Sequence, residues 1–277
     1  MIRRMISAGA RAFLVALVIA MPAAMLPGVS ADTAQMVALL ALVAAALTFV
    51  EYFSEFPSLL EFRDAPPYNR MRFLALFFTV LVLCVIHRGA VHPTVFSDFL
   101  ASIGAVLGNA IDFPFSPVRL MVLLAPSNAA LEDISLLRTS AGLAYIVSMV
   151  ALVLFVFAVR IMNWPIRHGA FNFWVNLPLF DPTAGGDILN RLKRDAAVNV
   201  VLGFLLPFLI PAVLKSASVF AYEINLTDQQ TVIWTMSAWA FLPVSLIMRG
   251  VALLRIAELI EEKRRRAYAQ ADLHAPA

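Results

Sequence analysis

Cysteine is almost missing from this sequence. The one present, Cys84, stands inside an apolar run, so no disulfide can form within the chain and the redox compartment cannot be read from cysteine usage. Charge is scarce as well: 14% of the 277 residues are charged and 61% are hydrophobic, with a mean hydropathy of +0.84. Average soluble domains carry about 25% charged residues, so a single soluble globule is excluded. Lysine is outnumbered by arginine, 3 to 18, a bias that points to a bacterium with a GC-rich genome. The four histidines, His87, His92, His168 and His274, fall in three separate regions. A metal site needs three or four convergent ligands, so neither metal nor cofactor is expected. Net charge is +3, and no stretch interleaves basic and aromatic residues as a nucleic-acid surface does, so no nucleic-acid partner is expected.

Long apolar runs occupy what remains. They predict transmembrane helices over about residues 10–27, 34–53, 72–87, 139–160, 196–214 and 231–249. The expected fold is therefore an all-α, polytopic integral membrane protein, a single membrane domain over 1–277 with six transmembrane helices and a tail at 250–277. Orientation follows from the basic residues, which cytoplasmic loops retain. With the N-terminus inside, four basic and seven acidic residues lie outside, against seventeen and eleven inside, a balance of −3 against +6. Both termini are thus expected in the cytoplasm, with the chain in a bacterial inner membrane. Arg3, Arg4, the apolar run that follows and Val29-Ser30-Ala31 resemble an export signal. Retention is the expectation, because a first helix that stays gives the even number of spans that the basic tail requires.

The exported segment at about 97–125 is too apolar for a solvated loop. Its apolar stretch over 99–111 would rise only about 20 Å as a helix, short of the ~30 Å hydrocarbon core. It is expected to be re-entrant or interfacial. Within it, Gly104 and Gly108 share one helix face at a spacing that permits close approach of another helix, from this chain or from a partner. The segment from Glu51 to Arg72 mixes aromatics, acids and three prolines and reads as a structured connection at headgroup level. Tyr52, Phe53, Glu55, Phe56, Arg63 and Asp64 are its candidate partner-contacting residues. The second such loop sets Trp164, Phe171, Phe173, Trp174, Leu177 and Phe180 among polar residues and ends near Gly185-Gly186, with no phosphate-loop fingerprint.

The apolar cores of the six spans, about residues 13–26, 34–50, 73–86, 141–159, 196–213 and 231–248, hold no acidic, basic or histidine residue, which argues against a proton-coupled carrier or ion pump. Pro207, Pro211 and Pro243 could break helices and line a path, with Lys215 snorkelling near the outer end of the fifth. Glu261-Glu262-Lys-Arg-Arg-Arg266 and His168-Gly-Ala-Phe-Asn172 resemble motifs of intramembrane CAAX-type proteases in their letters alone. Their order is reversed, and the glutamates lie in a solvated tail. Apolar spans without buried charge, joined by small loops, therefore lead to a non-catalytic accessory, assembly or scaffold subunit of a larger membrane complex. Membrane lipids and other integral membrane proteins are its expected partners. Transport of a small neutral solute or lipid through a proline-kinked bundle is the alternative.

Overall fold

The computed structural model describes every residue except 127, 163, 166–170, 181–185, 220–225, 227 and 274–277. Among the described residues there is no strand, and nine helices follow one another: α1 (Ile2–Met25), α2 (Ala31–Phe53), α3 (Tyr68–Val91), α4 (Val95–Ile111), α5 (Pro117–Val122), α6 (Leu131–Ile161), α7 (Phe173–Asn176), α8 (Ile188–Val219) and α9 (Gln229–Leu273). Six of them, α1, α2, α3, α6, α8 and α9, are long and apolar enough to cross a membrane. The chain is a multi-pass membrane protein.

Local signals explain where the helices stop. Between α1 and α2 the chain reverses at Gly28, whose φ of 75° is left-handed, and Ser30 then caps α2 by accepting the Thr33 amide at 3.1 Å. Thr94 opens α4 with a reciprocal capping box to Ser97, and Ser116 opens α5 with Pro117 in the first turn. At 17 residues, α4 rises about 25 Å, less than the ~30 Å hydrocarbon core. Each long helix exceeds its predicted span. α3 begins at Tyr68 instead of 72, and α9 runs without a break through the predicted tail to Leu273. Polar residues at membrane helix ends lower hydropathy without ending the helix.

α3, α6 and α9 pack on one another as the centre of the bundle. α1 lies on α3 and touches α9, α2 lies outside α1, and α8 lies outside α9. α4 packs on α3 and α6, and α5 on α6 and α8. Lipid tails are as apolar as leucine, so helices in a bilayer associate by close packing and by small residues that admit a neighbouring backbone. α8 and α9 show this twice. A Cβ on Gly203 would lie 2.6 Å from the Pro243 carbonyl oxygen, and one on Gly250 would lie 2.8 Å from that of Ala196.

Two buried clusters fill the bundle. One joins Leu83 and Cys84 of α3, Ala141 of α6, Met121 of α5 and Ile233, Met236 and Trp239 of α9. The other joins Phe62 and Tyr68, Phe155 of α6, Trp164, Leu192 of α8 and Met248 and Leu253 of α9. The second cluster lies at the end that carries the start of α1 and the C-terminal half of α9, here named the terminal end. Arg4 there donates to the Ser54 carbonyl, Lys193 pairs with Glu261 at 2.9 Å and Arg264 with Asp187 at 3.0 Å. The Arg264 hydrogen bond holds the Asp187 carboxyl below its usual range.

Candidate functional site

The terminal end is built around the segment between α2 and α3, and two charged side chains fold it. Glu51, in the last turn of α2, accepts the amides of Ser58, Leu59 and Leu60 at 3.0–3.2 Å, together with the Ser58 hydroxyl. Arg63 points the other way. Its guanidinium donates to the carbonyls of Glu51 (3.1 Å), Ser54 (2.8 Å) and Glu55 (3.0 Å), leaving its side chain 6% exposed. A carboxylate that gathers amides and a guanidinium that gathers carbonyls satisfy a turn-rich backbone that has no helix or sheet to do so.

Beneath this segment lies an aromatic box. Phe62, with φ of 53°, is buried with its ring centroid 4.4 Å from Tyr68 and 5.6 Å from Trp164, while Tyr68 and Trp164 both pack on Phe155. A positive φ at a residue with a Cβ costs about 1–2 kcal/mol. It is held here by Asn176, whose carbonyl accepts the Phe62 amide at 2.7 Å and whose side-chain oxygen accepts the Asp64 amide at 3.0 Å. Trp164 also donates its indole N–H to the Ala65 carbonyl at 3.1 Å. Trp164, Phe171, Leu177 and Phe180 of the second loop thus join the floor on which the first loop rests.

Glu61 and Arg249 join this platform to α9 by a bidentate pair at 2.5 and 2.7 Å, with the Glu61 side chain 8% exposed. Arg72 of α3 donates to Ser245 of α9 at 2.9 Å and lies over the rings of Tyr68 and Phe241. Sequence reading missed these groups. Glu61 and Arg249 stand 188 residues apart, and only the fold shows that an acid in one loop meets a base at the end of the sixth apolar run.

A cavity of about 550 Å³ opens beside the platform, lined by Arg11, Tyr52, Arg63, Asp64, Asn69, Arg70, Met162 and Trp164 among others. Arg11 reaches it from α1, its guanidinium 4.4 Å above the Tyr52 ring and bonded to Ser7 one turn earlier. Of the predicted contact residues, Tyr52, Arg63 and Asp64 therefore share one cavity wall. Phe53 stacks on Phe49 at 5.5 Å, and Glu55 and Phe56 are exposed, Phe56 at 66%.

Gly104 and Gly108 lie elsewhere, against α6. A Cβ on Gly104 would meet Leu143 at 2.5 Å, and one on Gly108 would meet the Arg138 carbonyl oxygen at 2.8 Å, so this face is taken by a helix of the same chain. Nearby, Asp112 receives Arg138 at 2.6 Å and Arg119 at 2.9 Å, an ion triad that also fixes α5 to α6. His87 is buried with Nε2 3.0 Å from the Ser140 hydroxyl, while His92 caps the end of α3. No group of metal-binding side chains occurs among the described residues. His168, His274 and Gly185 lie outside the described residues.

The proline-rich helices are packed on one another. Pro211 lacks the amide that would bond the Pro207 carbonyl, and the Trp239 indole N–H takes that carbonyl at 3.0 Å. Pro243 is buried with its carbonyl against Gly203. Lys215 is exposed farther along α8. Glu261 and Glu262 lie on the extension of α9, paired with Lys193 and Arg266. In comparisons with known proteins, no family model, curated protein or solved structure matches this chain.

Proposed function

We propose that this protein is a non-catalytic accessory or scaffold subunit of a larger complex in a bacterial inner membrane, with both termini in the cytoplasm. The observation that carries the reading is α2. Among the described residues this 23-residue apolar helix packs on α1 and on no other helix, and Ala41 is its one buried residue. Met36, Leu39, Leu40, Leu42, Val43, Leu47 and Val50 are all half or more exposed. A span held by one neighbour adds little to the bundle's own packing and presents a full apolar face to a helix of another membrane protein. The Glu51–Arg63 framework ends α2 in a rigid platform, which fixes the direction in which that face points.

The transport alternative draws no support from Pro211, because the Pro207 carbonyl that it frees is taken by the Trp239 indole. In-membrane photocrosslinking tests the proposal. A photoreactive residue at Leu39→Xaa or Leu47→Xaa should yield one dominant adduct with an integral membrane protein, and the same residue at Phe204→Xaa on α8 should yield lipid adducts. Reciprocal purification of that protein should recover this chain at fixed stoichiometry and fail with bulky polar substitutions on α2. Lipid adducts alone at every α2 position, with a monomer in native membranes, would overturn the reading.

A further inference from the structure

We propose that the cavity at the terminal end binds a phosphate group, with Arg70, Arg11 and the Tyr52 hydroxyl as its donors. The cavity's ~550 Å³ falls within the range of small-molecule sites, about 300–1,000 Å³. Its lining holds three arginines against one carboxylate, Asp64, which sits 3.5 Å from Arg63 and is largely exposed. The positive fields of Arg11, Arg63, Arg72 and Arg70 converge on the Tyr52 phenol.

The donors divide into two kinds. Arg63 is locked onto three backbone carbonyls, so it contributes charge and little hydrogen-bonding capacity. Arg70 has no hydrogen bond or ion pair among the described residues, and neither has the Tyr52 hydroxyl. Arg11 is braced between Ser7 and the Tyr52 ring and makes no ion pair among the described residues. A fixed cation, a braced guanidinium, a free guanidinium and a free phenol around one space match the several oxygens and the charge of a phosphate, which arginine recognises through paired N–H groups.

The ligand can come from lipid or from solution. Tyr52 is the penultimate residue of an apolar span, which places the cavity where hydrocarbon meets headgroups. Met162 in its wall is 41% exposed, and Phe56 and Leu59 of the adjoining segment are 66% and 67% exposed, apolar surface of the kind that acyl chains cover. This inference concerns Tyr52 at the end of α2 with its neighbours on α1 and α3, and it does not use the exposed residues 36–50 on which the partner reading rests.

The full chain in detergent would be titrated calorimetrically with short-chain phosphatidylglycerol, with short-chain phosphatidylcholine, whose choline cancels the phosphate charge, and with inorganic phosphate. Wild type, Arg70→Gln, Tyr52→Phe and the distant control Arg194→Gln would be compared, with far-UV circular dichroism confirming that each is folded. Saturable binding of phosphatidylglycerol should weaken about tenfold in Arg70→Gln, the loss of one charge-assisted hydrogen bond, and less in Tyr52→Phe. Arg194→Gln should leave it unchanged. Binding of phosphatidylglycerol without inorganic phosphate assigns the site to a lipid headgroup, and binding of inorganic phosphate that Arg70→Gln weakens assigns it to a soluble phosphate. Equal affinity in wild type and Arg70→Gln, equal uptake of both lipids, or no binding of any of the three overturns the proposal.

Discussion

Single residues carry more of this fold than its apolar composition suggests. Glu61 and Arg249 form a bidentate pair in which the carboxylate is buried. Removing one partner of such a pair leaves an uncompensated charge, so Glu61→Leu should lower stability by about 3 kcal/mol, and Arg249→Met added to it should recover most of that loss. Unfolding in mixed detergent of both single variants and the double measures this, and losses that simply add in the double variant would show that the pair is not coupled. Trp239 supplies a subtler case. Its indole replaces an amide that Pro211 cannot provide, so Trp239→Phe should cost about 2 kcal/mol by leaving the Pro207 carbonyl unpaired. In a Pro211→Ala background the helix regains that amide, and the same substitution should cost clearly less. A double-mutant cycle reads the difference, and additivity would mean that the indole hydrogen bond does not stand in for the helical one.

At the scale of elements, glycines separate surfaces that must meet from surfaces that need not. A Cβ on Gly142 would lie 2.5 Å from the Gly108 Cα, backbone against backbone where α4 crosses α6, while a Cβ on Gly9 would meet nothing within 4 Å. Gly142→Ala is therefore expected to destabilise by about 2 kcal/mol through overpacking, and Gly9→Ala to stabilise by about 0.5 kcal/mol through helix propensity. Thermal unfolding of the two variants should move in opposite directions. The sequence made the six apolar helices legible because hydrophobic length alone identifies them, and it made the Gly104/Gly108 face legible as a place of close approach. It did not show which helix would fill that face, since spacing describes one surface and packing requires two. The platform was legible only as an aromatic, proline-interrupted connection. Its staples, Glu51 and Arg63, act on backbone groups whose positions exist only after the turn has formed, and Arg11 and Arg70 are brought to Tyr52 by the α1–α2–α3 arrangement.

For the whole molecule, the two ends differ in a way that bears on how it sits in a membrane. The terminal end gathers the start of α1, the 54–67 segment, Trp164 and Asp187 from between α6 and α8, and the extension of α9, and it carries most of the arginines. The opposite end is held by the Asp112 triad, in which one buried carboxylate takes two arginines. Two of the four basic residues that the predicted topology puts outside are thus paired, so this end offers still less free positive charge than its composition implies. That asymmetry favours retention of the terminal end in the cytoplasm. Cys84 is fully buried, so it offers an impermeant thiol reagent no background and can be replaced by alanine. In a Cys84→Ala background, Phe115→Cys, at a position 87% exposed, should react in intact cells, and Arg266→Cys, with a side chain 75% exposed in the parent, should react only after the membrane is opened. The reverse pattern would invert the orientation and put the arginine-lined cavity outside. Reaction at both positions in intact cells would require an even number of crossings between them in place of the three that α6, α8 and α9 supply, and with it a different assignment of one of those helices.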